Sequence, residues 1–137
     1  LNGANVITRP ENLAEDMIPK MEVIRHADKW YESTFGFSPK VLVSVQANSP
    51  ELRSSDIDRG IEMLVTNDLY EVISVGNDML QNASFRVIRQ TSLYNTFLSA
   101  HLGVVVNDCL DVHTLADAEL IEAKYKDVAY FTQRINR

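Results

Sequence analysis

Three short β-branched runs separated by amphipathic stretches place the strongest constraint on how this chain can fold. Val6-Ile7-Thr8, Val41-Leu42-Val43-Ser44-Val45 and Glu71-Val72-Ile73-Ser74-Val75 alternate with two helical patterns. The order strand, helix, strand, helix, strand predicts right-handed crossovers and a mostly parallel sheet, the α/β class. The first run is stopped by Arg9-Pro10, because a residue before proline is pushed out of the helical region. Ile18, Met21, Ile24, Ala27 and Tyr31 then recur at three- and four-residue steps. That spacing predicts an amphipathic helix from Ile18 to about Glu32, with Asp16 as its cap and Pro19 in its first turn.

Ser54-Ser55-Asp56 opens a second helix, with Ile57, Ile61, Leu64 and Val65 along one face. Phe85 to Ile88 and Gly103 to Val106 read as further strands, while Ser92 to Ala100 has no clear period. Thr114-Leu115-Ala116-Asp117 matches a capping box with Asp in the acidic position, and Ala118, Ile121, Tyr125 and Val128 give the following helix its apolar stripe. Neither an internal repeat nor a linker is visible. With 137 residues, 45% of them hydrophobic, the whole chain, 1–137, reads as a single α/β domain able to bury a core.

Charge narrows the partners. Thirteen basic residues against nineteen acidic ones leave a net charge of -6, with no basic cluster longer than two residues, so no counterion-displacing stripe for nucleic acid is expected. No apolar run approaches the ~20 residues that span a bilayer, so no membrane partner is expected. One cysteine, Cys109, can form no internal disulfide, which fits a reducing, cytoplasmic location.

In open parallel sheets, ligands bind outside the carboxyl ends of the strands. Three loops there hold suitable chemistry: Arg9 to Asp16, Gln46 to Pro50, and Leu110 to Thr114. They offer a guanidinium fork, an amide that both donates and accepts, and a carboxylate beside an imidazole. Blander readings stand beside these. Asp111 also suits the positive end of a following helix, Ser49 before Pro50 is ordinary turn chemistry, and His113 fits a turn. Asp56-x-Asp58 needs no metal to explain two acids in a helical first turn.

These segments resemble, in the right order, the cytidylyltransferases that activate acidic sugars, the N-acylneuraminate and CMP-Kdo synthetases. Arg9-Pro10-x-x-Leu13-Ala14-x-Asp16 is similar to the family's R-P-x-x-L-A-x-D segment. Val43-Ser44-Val45-Gln46-Ala47-Asn48-Ser49-Pro50 is similar to the L-Q-P-T-S-P segment, with Ala47 and Asn48 in place of its proline and threonine, and Asp111-Val112-His113-Thr114-x-x-Asp117 to D-I-D-T-x-x-D. Together they extend over most of the chain.

The resemblance implies a three-layer, Rossmann-like nucleotide-diphospho-sugar transferase fold. It implies transfer of CMP from CTP to an acidic sugar such as sialic acid or Kdo, with release of pyrophosphate and with Mg²⁺ as cofactor. Within it, Arg9 belongs to the cytosine pocket and Asp16 to the same substrate-binding segment. Gln46 contacts the sugar, joined by Ser49 in its turn, by Arg89 of the Arg89-Gln90 pair and by Asn95 in the sugar segment. Asp111 is the catalytic metal ligand, and the second metal carboxylate falls at His113. Imidazole suits Mg²⁺ poorly, so a weaker or altered ion preference is expected. No segment resembles the family's Gly-, Arg- and Lys-containing phosphate loop, and the dimerisation insert is short. A fold truncated at the N-terminus, poor in turnover by itself, is therefore expected, with homodimerisation left open. The alternative is a non-catalytic nucleotide- or sugar-binding module built on the same fold.

Overall fold

The computed structural model describes residues 3–15 and 17–135, with side chains described as far as residue 126. Among the described residues, three α-helices and four strands follow in the order α1 (Lys20–Phe35), β1 (Val41–Val45), α2 (Ser54–Thr66), β2 (Glu71–Val75), β3 (Gln81–Arg89), β4 (Leu102–Val106) and α3 (Leu115–Ile135). The strands form one sheet in the order β1-β3-β2-β4.

That sheet is mixed, which overturns the expected three-layer, mostly parallel Rossmann-like fold. β3 lies antiparallel between β1 and β2, while β2 and β4 are parallel. The cause is the connection between β2 and β3. Gly76 to Leu80 is too short for a crossover, and parallel neighbours need a dozen or more residues. It closes instead as a hairpin, with Gly76 N–H donating to Leu80 O at 2.8 Å and Leu80 N–H to the Asp78 carboxylate at 3.0 Å. Val6-Ile7-Thr8 forms no strand; it runs as irregular chain beside α1, with His26 Nε2 3.4 Å from Thr8 O. With only three residues before Arg9-Pro10, the run is shorter than most strands.

The helix expected from Ile18 to about Glu32 forms, shifted to Lys20–Phe35: Pro19 is its N-cap rather than a first-turn residue, and it ends on Gly36, whose φ of 79° is the left-handed conformation glycine adopts freely. The expected cap, Asp16, lies outside the described residues. α2 packs on the sheet face carrying Phe85 and Val87. It comes so near that a Cβ on Gly60 would stand 3.0 Å from both side chains. Leu64, Val72, Phe85, Val87 and Val105 form the fully buried core there, flanked by Val41, Ile57 and Ile61. Where the β2 register shifts between Ile73 and Val75, buried Ser74 repairs the ladder. Its Oγ donates to Phe85 O at 3.0 Å and accepts from Phe85 N–H at 3.1 Å.

The opposite face carries Ser44, Arg86 and Glu71, because successive strand residues alternate sides. α1 lies across it, leaving cavities of about 150 Å³ and 230 Å³ between helix and sheet. No helix among the described residues is long and apolar enough to cross a membrane.

Candidate functional site

β1, β2 and β4 all run the same way, so the chain leaves Val45, Val75 and Val106 on one rim. There the loop after β1 meets the loop after β4. Ser49, only 4% exposed, donates its Oγ proton to Asp111 Oδ1 at 2.8 Å. Val112 N–H donates to Asn48 O at 2.8 Å, so backbone as well as side chains join the two segments. Asp111 Oδ2 points away from that bond, 3.9 Å from His113 Nε2.

Three further sets of contacts stiffen this rim. Glu51, whose side chain is almost fully buried, accepts from Lys124 Nζ, from Tyr125 Oη at 3.0 Å and from Leu110 N–H at 3.1 Å. The Lys124 ammonium is the main reason its carboxyl is held below the usual glutamate range. Asn107, just past β4, accepts at Oδ1 from Asn82 Nδ2 at 2.9 Å and Ser84 Oγ at 3.1 Å. The predicted capping box closes at the start of α3. Thr114 N–H and His113 N–H reach Asp117 Oδ2 at 2.8 and 3.0 Å, and Asp117 N–H reaches Thr114 Oγ1 at 3.2 Å. These donors, the His113 N–H foremost, depress the Asp117 carboxyl. Cys109 is pushed up, first by burial and then by Asp56 and Glu51, which keeps it a thiol rather than an activated nucleophile.

Gln46 anchors by its backbone, N–H to Ser84 O at 3.0 Å, and lines the 230 Å³ cavity with Lys20, Ser44, Gln81, Ala83 and Arg86. Ala83 is held at a φ of 58° in that wall, an uncommon conformation for a residue with a Cβ. Asn95 lines the 150 Å³ cavity with Arg25, Arg86 and Ser92. Its loop is fastened to α1, since Arg25 donates to Leu93 O at 2.9 Å and to Asn95 O at 3.4 Å.

The structure thus joins Ser49, Asp111 and His113, and sets Gln46 and Asn95 over two adjoining cavities. Arg9 is exposed in the irregular N-terminal chain, and Asp16 lies outside the described residues. Arg89 sits at the far edge from the rim, opposite Val41, where Nε donates to Leu69 O at 3.0 Å and Nη2 to Leu64 O at 3.3 Å. With Asp68 at 3.0 Å as its ion-pair partner, it ties the end of α2 to the sheet.

Besides Glu51 and Asn107, two polar residues on the other face of the sheet were not picked out by sequence reasoning. Asp28 is 1% exposed on α1 and accepts at Oδ2 from Tyr94 Oη at 2.9 Å and Gln90 Nε2 at 3.2 Å. Burial, then the bond to Asp28, pushes the Tyr94 phenol up. Arg86 is the other. A charged residue inside the apolar run Phe85 to Ile88 was the available signal. No protein-family model matches the chain, and no curated protein matches it either.

Proposed function

We propose that this chain carries the sugar-binding and divalent-cation parts of a cytidylyltransferase acting on an acidic sugar. The reaction is attack by the anomeric hydroxyl of a sialic acid- or Kdo-like sugar on the α-phosphorus of CTP. A phosphorus–oxygen bond to the sugar forms, the bond to the β-phosphate breaks, pyrophosphate leaves and the hydroxyl proton goes to solvent.

The observation that carries this reading is the Ser49–Asp111 hydrogen bond, which unites two of the three segments behind the resemblance. Ser49 fixes one Asp111 oxygen, and the side chain as a whole stays partly exposed, with Oδ2 beside His113. One oriented carboxylate fits Mg²⁺, which completes its shell with waters and substrate phosphate oxygens. When bound, the ion neutralises charge developing on the phosphate. Among the described residues no cluster of three His, Cys, Asp or Glu is present, so the protein would offer such an ion the Asp111 carboxylate with His113 beside it. His113 beside it favours an ion that tolerates imidazole, such as Mn²⁺. Gln46 and Asn95 supply amide donors and acceptors for sugar hydroxyls. Arg9 keeps the cytosine role that the resemblance gives it and Asp16 its place in the same substrate-binding segment, and a cytoplasmic setting goes with this chemistry.

The test is product formation from CTP and sialic acid or Kdo with Mg²⁺ or Mn²⁺. Slow, sugar-dependent release of pyrophosphate with formation of the CMP-sugar supports the reading. Binding of both substrates without turnover supports the non-catalytic module, and binding of neither overturns both.

A further inference from the structure

Arg86 stands out by what it lacks. It lies midway along β3, opposite Ser44 on β1 and Ile73 on β2, with its side chain 28% exposed. The other two arginines of the sheet and of α1 that are similarly buried have backbone oxygens as acceptors. Arg25 donates to Leu93 O and Asn95 O, and Arg89 to Leu69 O and Leu64 O. Among the described residues Arg86 has as partners the Met21 thioether, 3.5 Å from Nη1, and the Glu71 carboxylate, which pairs with it as an ion at 3.6 Å from Nε without a hydrogen bond. A guanidinium has five N–H donors, more than the Met21 thioether and the Glu71 carboxylate occupy.

The same guanidinium stands in the wall shared by both cavities. Towards the rim it faces the space lined by Gln46, Gln81 and Lys20; below, it faces the space lined by Asn95 and Ser92. A planar fork at the meeting point of two cavities edged with amides and hydroxyls matches a small polyhydroxylated acid, whose two carboxylate oxygens pair with it side by side. Glu71 sets the charge of the acceptor. Its carboxylate beside Arg86 offsets part of the positive field, which suits a monoanion better than a phosphate dianion.

We propose that Arg86 is the carboxylate anchor of this pocket, and that Glu71 makes it select a carboxylate over a phosphate. The proposal rests on the acidic-sugar reading above for the identity of the sugar, but its chemistry can be tested apart from it. Titration calorimetry on the full chain uses N-acetylneuraminate, Kdo, gluconate, neutral N-acetylglucosamine and inorganic phosphate as probes. Arg86→Gln should weaken the carboxylates by about tenfold or more and leave the neutral sugar unchanged. Arg86→Lys should recover only part of the loss, because the fork is gone. Glu71→Gln should raise the affinity for phosphate relative to gluconate, and this variant tests the proposal even if the Arg86 variants fail to fold. Gluconate bound through Arg86, with neither sialic acid nor Kdo binding, keeps the anchor and refutes the acidic-sugar reading. Sialic acid bound equally by the wild type and Arg86→Gln refutes the anchor and keeps that reading. Loss of phosphate rather than carboxylate binding in Arg86→Gln, or no carboxylate binding in the wild type, overturns the proposal.

Discussion

Ser49 Oγ donates to Asp111 Oδ1 at 2.8 Å across 62 residues of sequence. The bond orients a carboxylate at the rim and locks two loops together. Ser49→Ala should therefore cost about 1.5 to 3 kcal/mol of stability, the range for a hydrogen bond to a charged group. Urea unfolding of the two proteins measures it, and equal midpoints would remove the bond from the account.

Arg89→Ala should show the opposite balance from Arg86→Gln. Its donors serve the carbonyls that end α2 rather than a cavity, so about 1 to 3 kcal/mol of stability should be lost. Ligand affinity, normalised to folded protein, should stay constant; a fall in sugar binding at unchanged stability would return Arg89 to the site.

The β4 glycine makes a packing test. A Cβ on Gly103 would stand 2.6 Å from Leu69 Cδ1 and 2.8 Å from Met63 Sδ. Gly103→Ala should overpack that side of the core and cost about 1 to 3 kcal/mol, read as a lowered thermal midpoint.

Glu51 predicts the acid limb of the stability curve. Its folded pKa is lowered, chiefly by Lys124, so its stabilisation is present above the ordinary glutamate value of 4.5 and fades as pH falls through the folded value. Stability measured from neutral pH downward should fall more steeply in the wild type than in Glu51→Gln. Parallel curves would show that the buried carboxylate is not held in its charged form by these partners.

The helices and strands were legible because their signals are local. The Ser54 start of α2, the Thr114–Asp117 box and the runs Val41–Val45 and Glu71–Val75 all appear where periodicity and capping put them. Topology was not legible in the same way. The direction of β3 depends on its starting at Gln81 rather than Phe85. Those four residues, outside the apolar run, turn an apparent loop into one arm of a hairpin. The rim was anticipated because the Gln46–Pro50 and Asp111–Thr114 loops both follow strands of one direction, which remains true with β3 reversed. Arg86 and Asp28 escaped notice because single polar residues within apolar patterns reveal their burial and partners only after packing.

The central claim is that Asp111, oriented by Ser49, serves a divalent cation shared with CTP. Titration of CTP into the full chain with Mn²⁺, with Mg²⁺ and with EDTA, repeated on Asp111→Asn, tests it most directly. The account predicts cation-dependent CTP binding, tighter with Mn²⁺ than with Mg²⁺ and lost in Asp111→Asn. Absence of CTP binding in the wild type, or binding that persists in EDTA and in Asp111→Asn, would contradict it.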